Sequence, residues 1–358
     1  MMALRALLAA VVLAVVLLVN TVVIMWCERK WAGHMQSRLG PMRTGWHGLL
    51  QPFADALKLL GKEEFVPDGV DRLLFAIAPL LAYTPSVLVY CATPWVASFV
   101  GYSFDSGIFM VFSAAALFPV AILLAGWSSH NKYSVMGGFR AASQQISYEV
   151  PMILAVLGVI MLAGSMRLST IVESQTHLWN AVTQPFAFVI FFIGMLAELN
   201  RTPFDLPEAE SELVAGYMTE YSGLQWGLFF LVEYGGVFTW PLISSLLFLG
   251  GWNGPGPAWL GVFWLLAKVY LMVFMVIWVR WTLPRLRVDQ LMEFGWKLLI
   301  PAAILNMFVT ALGIVTSIYL LVAMQVVMLV GFIWIVSRLG ITVGDDVREA
   351  AAAEVARR

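Results

Sequence analysis

The chain has 358 residues, of which 61% are hydrophobic and only 12% charged, and its formal net charge is −1. Soluble globular proteins carry about 25% charged and roughly 45–50% apolar residues. The composition, with a mean hydropathy of +0.84, excludes that class and indicates an integral membrane protein. Cys27 and Cys91 are too few to ligate an iron–sulfur cluster or a structural zinc ion. The sequence also lacks GxGxxG, GxxxxGK and HExxH motifs, so we expect no flavin, haem or iron–sulfur cluster in this chain.

Nine apolar segments are long enough to cross a bilayer, since a transmembrane helix needs about 20 predominantly apolar residues. They lie near residues 6–26, 73–93, 108–127, 150–166, 182–199, 224–250, 259–281, 298–317 and 319–337. The first is too long for a signal peptide, and the charged triplet Glu28-Arg29-Lys30 follows it in place of a cleavage site. Only Thr316 and Ser317 separate the last two segments, so one long helix remains an alternative there.

These segments predict an all-α fold, a polytopic integral membrane helical bundle of about nine transmembrane helices with one interfacial amphipathic helix. Residues 1–337 are predicted to form one membrane domain and residues 338–358 a cytoplasmic tail. Eighteen of the 21 Lys and Arg residues lie in or beside the odd-numbered connections and the tail. By the positive-inside rule, the N-terminus is then outside, and the long loops and the C-terminus are cytoplasmic.

The first connection is predicted to contain the amphipathic helix, over residues 48–61. Its apolar stripe is formed by Leu49, Leu50, Phe53, Leu57 and Leu60, and its polar face by Gln51, Asp55, Lys58 and Lys62. Arg29, Arg38 and Arg43 precede it in a segment containing glycine and proline. These arginines either contact lipid phosphates or frame the mouth of a cavity for a lipophilic ligand.

The fifth connection, AELNRTPFDLPEAESELVAGYMTEYSG, concentrates carboxylates. Asp205 is placed to cap a short helix, with Glu208 in a capping-box relation to it. Glu208 and Glu212 share a helix face, where repulsion between like charges raises carboxyl pKa values and favours a proton relay. A solvated acidic loop is the alternative. The apolar residues among the acids, Phe204, Leu206, Leu213 and Val214, favour a packed segment.

Four more ionisable residues lie in or beside predicted spans. A charge in the membrane core costs roughly 2.5–3.5 kcal/mol on insertion scales and tends to mark an ion or proton path. Glu149, before Pro151, is predicted to lie near a helix amino terminus, where the dipole favours an acid. Glu198 ends a predicted helix, and Glu233 and Lys268 lie deeper. A simple interhelical ion pair is the alternative for Glu233 and Lys268.

Four long stretches resemble, in the same order, the quinone-module membrane subunit of respiratory complex I, which is called the H subunit in bacteria and subunit 1 in mitochondria. They are ERK with RLGP and GLLQPFADALKLL at 28–60, GWSSHNKYSVMGGFRAASQQISYE at 126–149, RTPFDLPEAESELVAGYMTEYS at 201–222 and RVDQLMEFGWK at 287–297. The resemblance covers about residues 20–300, and its motifs are long and specific.

The resemblance implies a membrane subunit of a proton-translocating NADH:quinone oxidoreductase in a bacterial inner membrane. Quinone would enter from the bilayer through a cavity involving Arg29, Arg38 and Asp55. An acidic relay would couple that cavity to the pumping arm through Glu149, Glu198, Arg201, Asp205, Glu208, Glu210, Glu212 and Glu233. No catalytic or metal-binding residue is implied. The partners would be iron–sulfur and quinone-headgroup subunits of the peripheral arm, small membrane subunits, lipid and quinone, and no nucleic acid.

Three other interpretations remain. The chain would serve equally as the homologous subunit of a membrane-bound hydrogenase or of a ferredoxin- or F420-linked complex, because the donor site lies in other subunits. A secondary transporter would carry inverted repeats with broken helices, and the acidic connection has no counterpart elsewhere in the chain. A purely structural anchor would leave the clustered carboxylates unexplained.

Overall fold

The computed structural model describes the backbone of residues 2–95, 104–207 and 210–356, with side chains there except at 2–14, 210–211, 258 and 339–356. All the regular secondary structure in these ranges is helical, which confirms the predicted all-α class. The α-helices are α1 Met2–Met35, α2 Gln51–Leu60, α3 Arg72–Ala92, α4 Gly107–Ala115, α5 Leu117–Ser128, α6 Lys132–Ala163, α7 Leu168–Ser174, α8 Asn180–Thr183, α9 Pro185–Glu198, α10 Glu210–Leu213, α11 Gly223–Phe248, α12 Gly261–Thr282, α13 Val288–Glu293, α14 Ile300–Thr316 and α15 Ile318–Ala356.

Seven stretches of the described chain are long and apolar enough to cross a membrane. They are Arg72–Ala92, Gly107–Ser128, Lys132–Ala163, Gly223–Phe248, Gly261–Thr282, Val288–Thr316 and Ile318–Arg338. The predicted first span lies within α1, which has 34 residues. The predicted span 182–199 contains α9, whose 14 residues reach only ~21 Å at 1.5 Å per residue. A polytopic helical membrane protein is therefore confirmed, and the count of nine spans stays a prediction.

Helix α6 begins eighteen residues before the predicted fourth span. Asn131 caps it, since its side chain accepts a hydrogen bond from the Tyr133 backbone N–H at 3.0 Å. The expectation that a helix begins near Glu149 is wrong, because Glu149 and Pro151 both lie inside α6. The polar residues before Pro151 suggested a loop. Membrane helices tolerate an internal proline, however, when neighbouring groups satisfy the freed carbonyl.

The last two spans are separate helices that fold back on each other. Ser317 alone separates α14 from α15 and has an extended backbone, with φ −164° and ψ 152°. The two helices pack antiparallel, so that a Cβ atom at Gly313 would lie 2.6 Å from Leu321. The alternative of one long helix is therefore excluded.

Helix α11 forms the centre of the bundle, and 83% of its most apolar stretch is buried. It packs against α1, α3 and α12 and touches α9. By contrast, α14 and α15 expose large apolar side chains, among them Phe308, Leu312 and Val327. Such a surface suits lipid, which is as apolar as the side chains themselves. Glu233 therefore lies on the most buried of the candidate spans in the described part of the chain.

Candidate functional site

The acidic segment between α9 and α11 is packed against α6. Gly216 has a φ of 56°, and a Cβ atom there would lie 1.9 Å from the Pro207 carbonyl oxygen. A Cβ atom at Gly137 on α6 would lie 2.7 Å from the Gly216 Cα. Neither approach leaves room for a side chain. The predicted packing is confirmed for Phe204, Leu206 and Leu213, which are buried, and is wrong for Val214, which is exposed.

Gln144 of α6 holds the start of this segment in place. Its Nε2 lies within hydrogen-bond distance of the Ala197 carbonyl at 2.8 Å, the Asn200 Oδ1 at 3.2 Å and the Phe204 carbonyl at 2.7 Å. Asn200 turns the chain at the end of α9 with a φ of 49°, a conformation that Asn adopts more readily than most residues. These contacts fix the orientation of Glu198, the last residue of α9.

A cavity of about 50 Å³ brings two of the predicted relay acids together. Glu198 and Glu233 both line it, where α3, α4, α9 and α11 meet. The Glu198 Oε2 and the Asn200 Nδ2 are buried at this cavity and have no hydrogen-bond partner among the described residues. A buried water needs roughly 10–15 Å³ and about three polar partners, so the cavity suits water molecules.

Two further contacts extend this group of acids. Glu149 of α6 lies close enough to Glu198 for their charges to interact. Glu233, whose residue is 6% exposed, accepts a hydrogen bond from the Tyr217 hydroxyl at 3.0 Å. The structure therefore places Glu149, Glu198 and Glu233 in sequence from α6 to α11, with the cavity between the last two.

Arg201 and a buried ion pair lie beside these acids. The Arg201 guanidinium is buried and stacks over the Tyr234 ring, 4.6 Å from its centre. Arg280 of α12 donates to Glu28 of α1, and both are largely buried. The sequence marks Glu28 only as the end of the first span and Arg280 only as one of the basic residues that set the orientation. The one sign of this ion pair in the sequence is that Glu28 and Arg280, of opposite charge, each lie at the end of an apolar segment.

Glu212 lies at the exposed edge of the acidic segment and is ion-paired. Arg140 Nη1 donates to Glu212 Oε2 at 2.6 Å, and Arg285 approaches Oε1 at 3.7 Å. The hydrogen bond from Arg140 lowers the pKa of the Glu212 carboxyl below its ordinary value. The predicted rise in the pKa of Glu212 is therefore wrong, because the hydrogen bond from Arg140 and the positive charges on α6 and near α13 outweigh the effect of desolvation.

The other predicted relay acids of the segment, Asp205, Glu208 and Glu210, precede Glu212 in the chain. Asp205 is half-buried in the irregular stretch after α9. Asp205 does not cap a helix, because Leu206 and Pro207, which follow it directly, are not helical. Glu208 lies outside the described residues, and the side chain of Glu210 is not described.

The predicted amphipathic helix is confirmed as α2, and Gln51 and Asp55 of its polar face are half-buried, whereas Lys58 and Lys62 are exposed. Arg29 of α1 pairs with Asp55 at 2.6 Å, and the Gln51 Nε2 donates to Asp55 at 3.0 Å. Phe53 and Leu57 on the apolar face are exposed. Arg38 is not brought to this pair and donates instead to the Gln36 Oε1 at 2.7 Å.

Lys268 is not paired with Glu233. Its Nζ donates to the backbone carbonyls of Gly251, at 2.9 Å, and Asn253, at 2.7 Å, and lies 5.2 Å from the centre of the Trp179 ring. These carbonyls follow the C-terminal end of α11, where a cation is favoured by the helix dipole. Lys268 therefore fastens α12 to the end of α11.

The described part of the chain contains no group of three or more His, Cys, Asp or Glu side chains that could hold a metal ion.

Known proteins match the chain over most of its length. The sequence model of the NADH dehydrogenase family matches residues 8–311. Over 294 residues the chain is 48% identical to the H subunit of NADH-quinone oxidoreductase from Geobacillus sp. (strain WCH70), covering 80% of this chain and 86% of that protein. It is 46% identical over 315 residues to the H 1 subunit of the same enzyme from Geobacter sulfurreducens, covering 82% and 89%. It is 44% identical over 302 residues to the H subunit from Dehalococcoides mccartyi, covering 84% of each chain.

Proposed function

Because the chain belongs to the NADH dehydrogenase family, that of the H subunit of NADH-quinone oxidoreductase, we propose that it forms the quinone entrance and a carboxylate proton relay of that complex. The main support for the proposed proton relay is the cavity that Glu198 and Glu233 both line. In this assignment the chain itself holds no redox group. Electrons reach quinone through partner subunits, and this chain supplies the path for quinone and the groups that respond to its reduction.

Water in the shared cavity would connect carboxyl groups that do not touch each other. A charged carboxylate is costly in an apolar bundle, whereas a proton can pass between a buried carboxyl and a neighbouring water molecule. Quinone reduction consumes two protons and passes through anionic species. Such a charge close to the acidic segment changes the proton affinity of Glu198, and the change passes to Glu233 through the water. Coupling of this kind is reciprocal, so proton occupancy at Glu233 also affects quinone reduction.

The other predicted acids take different places in this relay. Arg201 and Asp205 follow Glu198 along the acidic segment, and we assign Glu208 and Glu210 to the same segment on the sequence alone. Glu212 serves as a fixed negative charge, since its ion pair with Arg140 keeps it ionised at neutral pH. The proton-carrying members are then the half-buried Glu149 of α6 and the buried Glu198 and Glu233 of α9 and α11.

The quinone entrance is assigned to the junction of α1 and α2. The pair Arg29–Asp55 presents a polar edge beside the exposed apolar face of α2, which suits a molecule with a polar head and a long apolar tail. Arg38 lies farther along the same connection, at the rim. In the orientation given by the basic residues, this junction is on the cytoplasmic side of a bacterial inner membrane.

Removing the Asp55 carboxylate tests the entrance. We expect Asp55→Asn to raise the KM for quinone by about 2–5-fold with little change in kcat, because a partly exposed ion pair is worth about 0.5–1 kcal/mol. The measurement is NADH-driven reduction of a short-chain quinone by the purified complex. Asp68→Asn, an exposed acid of the same connection, is the matched control. An unchanged KM in Asp55→Asn removes the pair from the entrance.

Deleting the gene tests the assignment to the complex as a whole. Membranes without the chain are expected to lose NADH-driven quinone reduction, and a tagged copy is expected to restore it and to co-purify with flavin- and iron–sulfur-binding subunits. Restoration of hydrogen-, ferredoxin- or F420-linked activity alone would place the chain in one of the related complexes. Solute transport by the isolated chain would exclude both.

A further inference from the structure

A second buried polar cluster lies away from the acidic segment and contains only uncharged side chains. It consists of Gln184 at the start of α9, Asn306 and Thr310 on α14 and Gln325 on α15, gathered around Gly158 of α6. We call these residues the polar joint. All four side chains are fully buried, although α14 and α15 expose most of their surface. The buried stripe of α14 has only small or polar residues, which are Ala303, Asn306, Thr310 and Gly313.

Several hydrogen bonds hold the joint together. Gln325 Nε2 donates to Asn306 Oδ1 at 2.7 Å and approaches Thr310 Oγ1 at 3.3 Å, which links α15 to α14. Gln184 Nε2 donates to the Gly158 carbonyl at 3.0 Å, which links the start of α9 to α6. Thr310 Oγ1 donates to the Asn306 carbonyl at 2.8 Å.

Three polar atoms of the joint are not satisfied by these bonds. Gln184 Oε1, Gln325 Oε1 and Asn306 Nδ2 are buried and have no hydrogen-bond partner among the described residues. Two of them lie beside Gly158, because a Cβ atom there would be 3.3 Å from Gln184 Oε1 and 3.4 Å from Asn306 Nδ2. Lipid cannot satisfy such atoms, since hydrocarbon offers neither donors nor acceptors. A side chain at position 158 would contact both of these atoms, and glycine avoids that contact.

We propose that the polar joint binds an ordered water molecule that donates to Gln184 and Gln325, accepts from Asn306, and fastens the α14–α15 hairpin to α6 and α9. The two unsatisfied acceptors and one unsatisfied donor match the two donors and one acceptor that a water molecule offers. A metal cation fits less well, since the joint has no carboxylate to balance a charge and directs an N–H group to the same place. An anion would meet two carbonyl oxygens.

The test is cryo-electron microscopy of the assembled complex at a resolution that shows ordered water. We expect a density peak about 2.6–3.2 Å from Gln184 Oε1, Gln325 Oε1 and Asn306 Nδ2. Gln325→Met, of nearly equal length, and Asn306→Leu are expected to lose the peak and to lower the thermal inactivation midpoint of the complex. Thr316→Val, at the exposed end of α14, is expected to keep both. If Asn306→Leu does not assemble, Gln325→Met alone decides.

Three results would overturn the proposal. The amides are found rotated to pair directly, without a peak. The peak persists in Gln325→Met at the same position. The peak has oxygen neighbours at ~2.3–2.5 Å and changes when sodium is exchanged for potassium, which identifies a cation. None of these results bears on the relay, because the joint shares no residue with it.

Discussion

Glu233→Gln is expected to reduce NADH-driven proton translocation by about 10²-fold, the lower end of what loss of a positioned proton-transfer group costs. Glutamine keeps the size of the side chain and can still accept a hydrogen bond from Tyr217, but it cannot release a proton. The measurement is acidification of proteoliposomes containing the purified complex, followed with a pH-sensitive dye, together with the rate of quinone reduction.

Matched variants separate loss of the relay from a general loss of structure. Glu198→Gln, which changes the other acid lining the same cavity, is expected to show a similar defect. The double variant is expected to be no worse than either single one, because both interrupt one path. Glu293→Gln, an exposed acid that pairs with Lys297, is expected to leave translocation unchanged. If Glu233→Gln translocates protons at the normal rate while assembling normally, Glu233 is not part of the relay.

Arg280→Met is expected to destabilise the protein by about 3–5 kcal/mol, because it leaves the Glu28 carboxylate buried without its counter-charge. The side chain of Glu28 is 6% exposed and that of Arg280 is 20% exposed, so water compensates little of the loss. The thermal inactivation midpoint of the complex, and its half-life at a fixed temperature, report the effect.

Removing both charges together is the decisive comparison. Glu28→Leu combined with Arg280→Met is expected to recover most of the stability, since a buried ion pair is often worth no more than apolar residues of similar size. Lys297→Met, which breaks the exposed pair with Glu293, is expected to cost at most about 0.5 kcal/mol. A double variant as unstable as Arg280→Met would show that packing, rather than the unpaired charge, causes the loss.

The membrane fold followed from the sequence because hydropathy is a local property of the chain. The existence of most spans, the amphipathic helix at 48–61 and the buried acids Glu198 and Glu233 needed no knowledge of distant contacts. A charge inside an apolar run is informative by itself, since its burial is costly. The start of α6 was missed because its first half is polar and resembles a loop.

Features that depend on distant partners could not be read from the sequence. The pKa of Glu212 is lowered by Arg140, which is 72 residues away in the chain. Gln144 and the residues of the polar joint are uncharged, so they add no charge to an apolar segment and give no signal until their partners are known. The pair of Glu28 with Arg280 joins residues 252 positions apart.

The length of α6 has one more consequence. Its 32 residues reach ~48 Å, whereas the hydrocarbon core is about 30 Å thick. A part of the helix therefore extends beyond the hydrocarbon. Arg140 and Glu149 both belong to α6 and lie ~13 Å apart along its axis, and Pro151 follows both of them in the chain. A push or twist delivered to the protruding end by a docked protein therefore reaches Glu149 as a rigid displacement, with no hinge between them to absorb it.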